Sequence, residues 1–373
     1  MLVHHADQDY NVSASEAAKA ARAKFEASIE NGKAKALKVF DQIQTQIPED
    51  KIVVGQKLSF SADTRGLRVQ FPNSDHTEGF HKNAINQAAS RADIPVAYVE
   101  SLQARGEWGR ELLAENFNEI FHNDDKKRRY LTRSVNGDVR GFLSDSYRRM
   151  DSRPIVEQFV GAMQKYNAVP VEGYALETKI AIKAVLPFIF EPVDHEVMIF
   201  GVALETSDFG NGALSLRSFV ERLWCTNRAI ANEDIRKIHL GARLGEDLQL
   251  SQRTYDLDTQ TMASAVQDVV TKSLSADNVN TFMALIKTAN EQKIEPSKVM
   301  AFLKKNLNKS EADAVIDAFN SPDVEMLPAG NSVWRMSNAI SWIANTVVTD
   351  EERRLDVMKT AGAILDHKFS VVA

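Results

Sequence analysis

The chain has 373 residues, 44% of them hydrophobic and 26% charged, an ordinary globular composition with enough length for a large core. Its formal net charge of -6 excludes a uniformly basic nucleic-acid coat, so any polyanion site must be a local patch. The single cysteine, Cys225, excludes an internal disulfide and suits a reducing compartment.

The opening Met1-Leu2-Val3-His4-His5-Ala6-Asp7 has neither a basic n-region nor an apolar h-region. No run of about 18 apolar residues follows, so the expected setting is the cytoplasm, with no membrane contact. Residues 13 to 47 read as a helix with Ser13 or Ser15 as cap. Its apolar positions Phe25, Ile29, Ala36, Val39, Phe40, Ile43 and Ile47 fall at helical spacing, and Asn31-Gly32 predicts a break or kink. Lys51 to Phe71 alternates apolar and polar residues and predicts a hairpin turning near Ala62-Asp63-Thr64-Arg65-Gly66. Helix is expected from Lys82 to Ala92 and again from Val99 to Phe121. The Asn136-Gly137 turn precedes an expected strand over residues 140 to 149. Pro154 suits the first turn of a helix running to Tyr166.

Leu176 to Leu186 has the clearest period-two pattern, and Val197 to Glu205 predicts a second strand. A helix is expected from Leu214, then amphipathic helices from 250 to 325 broken at Pro296 and Pro322. Two more cover Trp334 to Val348 and Glu351 to Leu365. The expected fold is α+β: a central antiparallel sheet with packed helices, flanked by N-terminal and C-terminal helical segments. The expected division is an N-terminal helical arm over 1–50, an α+β core with a basic strand over 51–249, and a C-terminal helical region over 250–373.

Motifs for chemistry are sparse. The chain contains no GxxxxGK[ST] or GxGxxG loop, no HExxH, no CxxC and no GxSxG elbow. The eight histidines are scattered, Cys225 has no sequence-level partner, and no carboxylate pair stands out. These patterns favour a protein without catalytic residues, cofactor or metal.

Charge placement is more informative. Between Lys126 and Arg153 stand nine basic residues: Lys126, Lys127, Arg128, Arg129, Arg133, Arg140, Arg148, Arg149 and Arg153. Only Asp138, Asp145 and Asp151 oppose them. Arginine's planar fork suits phosphate, and the interleaved Tyr130 and Tyr147 could stack on bases. Lys179, Lys183, Arg217, Arg222, Arg228, Arg236, Lys237 and Arg243 could extend the patch, whereas Trp108, Phe209 and Trp224 are expected in the core. The competing expectation is that these cations pair with surrounding acids.

Ala92-Asp93-Ile94-Pro95-Val96-Ala97-Tyr98 and Leu112-Leu113-Ala114-Glu115-Asn116-Phe117-Asn118 resemble the opening motif of a phage- and plasmid-encoded family. That family is catalogued as domain of unknown function 932, "phage/plasmid-like protein". The likeness continues through residues 129–133, 139–148 and 210–227, then His239 and residues 331–339, covering roughly residues 80 to 345. Arg228 departs from it where glycine is expected. The family brings no settled activity. Its setting, and a more distant likeness to single-strand annealing proteins of the RecT and Red-beta kind, imply single-stranded DNA binding or annealing without nucleotide hydrolysis. A homo-oligomer in a bacterial cytoplasm is implied, its contacts supplied by the terminal helices. Two alternatives stay open: a protein-interaction factor acting against a host defence or regulator, and a metal-dependent nuclease with a dispersed site.

Overall fold

The computed structural model describes residues 16–194, 196–223, 228–237, 251–294, 296–321, 327–349 and 351–365. The architecture is α+β, built on two sheets where the sequence pattern suggests one. The first contains β1 (Glu49–Val54), β2 (Ser59–Asp63), β3 (Gly66–Gln70), β4 (Thr77–Phe80), β5 (Arg129–Val135) and β6 (Asp138–Ser144), in the order β1-β5-β6-β4-β3-β2. Its neighbours are antiparallel except β4 and β6, which run parallel.

Turn chemistry positions two of these strands. The β2–β3 hairpin turns where Asp63 accepts the Arg65 and Gly66 amides. The β5–β6 turn takes positive φ at both Asn136 (53°) and Gly137 (75°), the geometry of an Asn-Gly type I′ hairpin. Helices α2 (Lys82–Arg91), α3 (Val96–Gln103) and α4 (Glu107–His122) cover one face. Ala84, Ala88, Val99, Leu113, Phe117 and Phe121 of these helices pack on Phe60, Val69, Phe80 and Phe142. The helix expected to run unbroken from Val99 is instead divided at Gly106, whose φ of 80° belongs to glycine.

The second sheet is antiparallel throughout, in the order β11-β10-β9-β8-β7. Its strands are β7 (Val169–Ala175), β8 (Ile180–Val185), β9 (Met198–Thr206), β10 (Leu214–Arg222) and β11 (Arg228–Lys237). The Leu176–Leu186 run narrows to β8, because Leu176 to Lys179 closes the turn from β7 with a Leu176 N–H to Lys179 O bond. The segment expected as helix from Leu214 is the strand β10. There Leu214 and Leu216 alternate with Ser215 and Arg217, a period of two.

Helix α1 (Glu16–Thr45) and α5 (Ser152–Lys165) pack on this sheet. With them pack α6 (Gln252–Ser273), α7 (Ala276–Glu291), α8 (Pro296–Asn306), α9 (Lys309–Asn320), α10 (Val333–Thr346) and α11 (Glu351–Ala363). Phe159, Ile182, Phe200, Leu204, Val266, Phe282, Trp334 and Ile340 share one core, so the C-terminal helices and the second sheet bury a common interior. The opposite sheet face holds Ile199 and Phe219 against Ala21 and Phe25 of α1. Among the described residues, no helix is long and apolar enough to cross a membrane.

Candidate nucleic-acid interface

Four of the nine cations in the basic segment, Arg129, Arg133, Arg148 and Arg149, pair with acids 16 or more residues away, and a fifth, Arg140, is buried. Arg133, only 2% exposed, donates to Asp50 at 2.7 Å, to Asp151 at 2.6 Å and to the Asp208 carbonyl at 2.8 Å. Arg149 takes the other Asp50 oxygen at 2.7 Å and lies over the Tyr255 ring. Arg140 bonds Gln46 Oε1 at 2.7 Å and the Glu177 carbonyl at 3.1 Å. Arg148 pairs with Asp258, Arg129 with Asp145 and Arg153 with Glu157. Strand β6 ends at Ser144, so Tyr147, Arg148 and Arg149 lie beyond the strand expected to carry them.

The aromatics expected to stack on bases have other surroundings. Tyr130 is buried and stacks on Phe142, with ring centroids 4.7 Å apart. That ring belongs to the core of the first sheet. Tyr147 is largely enclosed, and burial raises the pKa of both phenols. Lys126, Lys127 and Arg128 remain exposed in the turn before β5, where Arg128 lies 3.5 Å from Asp124. Lys183 pairs with Glu172, Arg217 with Glu205 and Arg222 with Glu196. The side chains of Arg228, Arg236, Lys237 and Arg243 lie outside the described residues, as do Trp224 to Asn227 and His239.

The Arg133 centre has a definite electrostatic logic. Burial alone would lower the guanidinium pKa, but Asp50, Asp151 and Asp208 hold it above its ordinary value. Burial raises the pKa of Asp208, opposed by Arg133 and by the Ser152 N–H, which reaches its Oδ1 at 2.6 Å. This arrangement fixes the loop after β9 against β5 and the start of α5. Lys179 and Asp208 line a mostly apolar cavity of about 160 Å³ beside it.

A different surface presents aromatic rings to solvent. Trp108, expected in the core, is 53% exposed in the first turn of α4, and Tyr98 on α3 is 44% exposed. Arg105 lies over the Trp108 ring at 5.5 Å and forms no ion pair among the described residues. Packing explains the exposure. Gly109, next to Trp108, lies so close to the Leu102 carbonyl that a Cβ there would approach it to 2.1 Å. That contact turns Leu113 and Phe117 into the core and leaves Trp108 outside. Further along, Glu107, Glu111, Glu115 and Glu119 form an exposed acidic stripe at i, i+4 spacing, which separates the α3–α4 turn from the lysines before β5.

Among the described residues, no group of three His, Cys, Asp or Glu side chains could hold a metal ion. Comparisons with protein-family models, curated proteins and solved structures find no match for this chain.

Proposed function

We propose that the chain binds single-stranded nucleic acid at the α3–α4 turn, as a phage- or plasmid-type strand-binding or annealing protein. The observation that carries the reading is the solvent-facing Trp108 with Arg105 over its ring and Tyr98 nearby on α3. A base stacks on such a platform without sequence preference, and a guanidinium beside it meets the adjoining phosphate. Annealing needs a held backbone with accessible base edges and no catalytic group. The acidic stripe on α4 keeps the contact short, because a backbone following that helix would meet Glu111, Glu115 and Glu119.

Fluorescence anisotropy of a labelled strand across a salt series tests this. Affinity falls with rising salt, and Trp108→Ala weakens binding about tenfold, the order expected for loss of one stacking contact. Arg153→Ala, an exposed cation paired within its own helix, leaves affinity unchanged. Absence of binding at low salt overturns the reading. The combined Arg140→Ala/Arg148→Ala/Arg149→Ala change is a poor probe, because it removes partners of Gln46, Asp258 and Asp50 and so perturbs the fold.

Self-association belongs to the same reading. It is supported by Leu37, Ile47 and Leu176, each more than half exposed where α1 meets the β7–β8 turn. Light scattering after size-exclusion chromatography measures it directly.

A further inference from the structure

We propose that a cavity of about 380 Å³ at the end of the six-stranded sheet binds a phosphomonoester dianion. Resting on the strand-binding reading above, we identify that dianion as the terminal phosphate of the strand.

The walls come from five elements: the tip of the β2–β3 hairpin, the passage from β4 into α2, the end of α3, the first turn of α4 and the start of β6. Arg65, Arg68, Lys82 and Arg110 line the cavity, opposed on its walls by Asp138. Four of these five charges have partners within 4 Å, Arg68 sharing Asp63 with Arg65. Arg65 is held by Asp63 at 2.9 Å, Lys82 faces Glu100 at 3.3 Å, and Asp138 lies 3.7 Å from Arg140. His81 is also committed: Nδ1 accepts the Asn83 N–H at 3.1 Å and Nε2 meets Glu177 at 2.8 Å.

Arg110 remains to set the character of the site, with Arg68 only loosely held. Arg110 forms no side-chain hydrogen bond or ion pair among the described residues. Arg68 donates to the Thr77 carbonyl at 2.9 Å and stands 3.8 Å from Asp63, beyond direct hydrogen bonding. The Nε of Arg68, the Nε of Arg110 and the Nε2 of Gln103 are all buried without a hydrogen-bond partner. Buried donors are normally satisfied, so three side chains that line one cavity, each with a donor left over, favour an occupant that brings acceptor oxygens.

The backbone makes room for them. A Cβ on Gly79 would stand 2.4 Å from Asp138 Oδ1 and 3.3 Å from Arg68 Nη1, so only glycine lets both side chains lie over the strand. One unpaired guanidinium, a second that shares Asp63 with Arg65, and an amide favour the double charge and three terminal oxygens of a monoester over the single charge of an internal diester. Access also favours a strand end. Arg110 and Trp108 share the first turn of α4, so a phosphate in the cavity and a base on the indole would both lie at the start of the acidic stripe, where Glu107 is its member in that turn.

The test uses internally labelled short strands carrying a 5′ phosphate, a 3′ phosphate or neither, at one salt concentration, with inorganic phosphate titrated separately by calorimetry. One phosphorylated strand is expected to bind about tenfold more tightly than the unphosphorylated strand. That preference, and the phosphate heat, disappear in Arg110→Gln and in Arg68→Gln. Arg110→Gln keeps the wild-type melting temperature, since the Arg110 side chain forms no hydrogen bond or ion pair among the described residues. Equal affinity for all three strands overturns the terminal-phosphate assignment while leaving strand binding intact. Phosphate heat that Arg110→Gln removes, with no strand bound at all, upholds the dianion site and overturns the strand reading. Absence of both phosphate heat and strand preference overturns the site itself.

Discussion

Arg133 shows how a residue that looks like a phosphate ligand becomes part of the interior. Its guanidinium spends all three nitrogens on Asp50, Asp151 and the Asp208 carbonyl. Replacing it with methionine takes the guanidinium from Asp151 and from the Asp208 carbonyl and leaves Asp50 to Arg149 alone, which costs about 3 kcal/mol. The loss is pH-dependent. Burial already raises the Asp208 pKa and Arg133 opposes that rise, so without Arg133 the folded-state value lies further above the unfolded one. Stability of the variant therefore declines as pH rises through the carboxylate range, so its deficit is largest at neutral pH and narrows on acidification. Urea titrations of both proteins at several pH values measure it, and a deficit independent of pH would count against this account. The charge run itself was plain in the sequence. Its partners were not: Asp50 stands 83 residues from Arg133, and Asp258 stands 110 residues from Arg148. Trp108 was misjudged for a similar reason, since its exposure follows from the close seating of Gly109 on α3.

At the scale of elements, α1 carries the sharpest conflict between local preference and packing. Its apolar spacing identifies a helix, and Asn31-Gly32 suggests a kink, yet the helix runs unbroken from Glu16 to Thr45. The helix crosses the edge strand β7, placing Phe25 against one face of the second sheet and Val39 and Ile43 in the core on the other. Gly32 sits at the crossing, where a Cβ would stand 2.3 Å from the Pro170 carbonyl and 2.4 Å from Val171 Cα. Propensity alone predicts that Gly32→Ala stabilises by about 1 kcal/mol. Overpacking against backbone outweighs this, and a net loss of about 1–3 kcal/mol is expected. Asn31→Ala, one exposed position earlier, should be neutral or slightly stabilising. Thermal melts of the two variants decide the matter, and a stabilised Gly32→Ala would show that α1 can lift from β7 freely. Hairpin turns at Asp63–Gly66 and Asn136–Gly137 were legible because their chemistry is local. The division into two sheets was not, because β1 pairs with β5 through Asp50↔Arg133 and β4 joins β6 in parallel, and no periodicity encodes such pairings.

Across the whole molecule, the two sheets keep separate apolar cores that share no residue, and a largely polar joint connects them. The joint centres on the loop after β9. Asn83 and Gln87 of α2 both donate to the Phe209 carbonyl, at 3.1 and 2.9 Å, while Arg133 takes the Asp208 carbonyl. Gly210, at a φ of 70°, brings this loop close to Leu143, where a Cβ would come within 2.5 Å. Joints built from hydrogen bonds transmit cooperativity only while their donors and acceptors stay matched, since each core can persist alone once they are broken. The intact chain should therefore unfold in a single calorimetric transition. Asn83→Ala/Gln87→Ala strips the Phe209 carbonyl of its side-chain donors and also removes two bonds from α2 to β6, at the Arg140 carbonyl and the Phe142 N–H, while leaving the second core untouched, so its endotherm should split in two. The earlier transition should belong to one sheet, with the other melting near the wild-type temperature. Near-UV circular dichroism can assign them, because Trp334 and Trp342 lie on α10 of the second unit and Trp108 on α4 of the first. A single endotherm merely displaced to lower temperature would place the coupling elsewhere, in the contacts of Arg140 with Gln46 and Glu177.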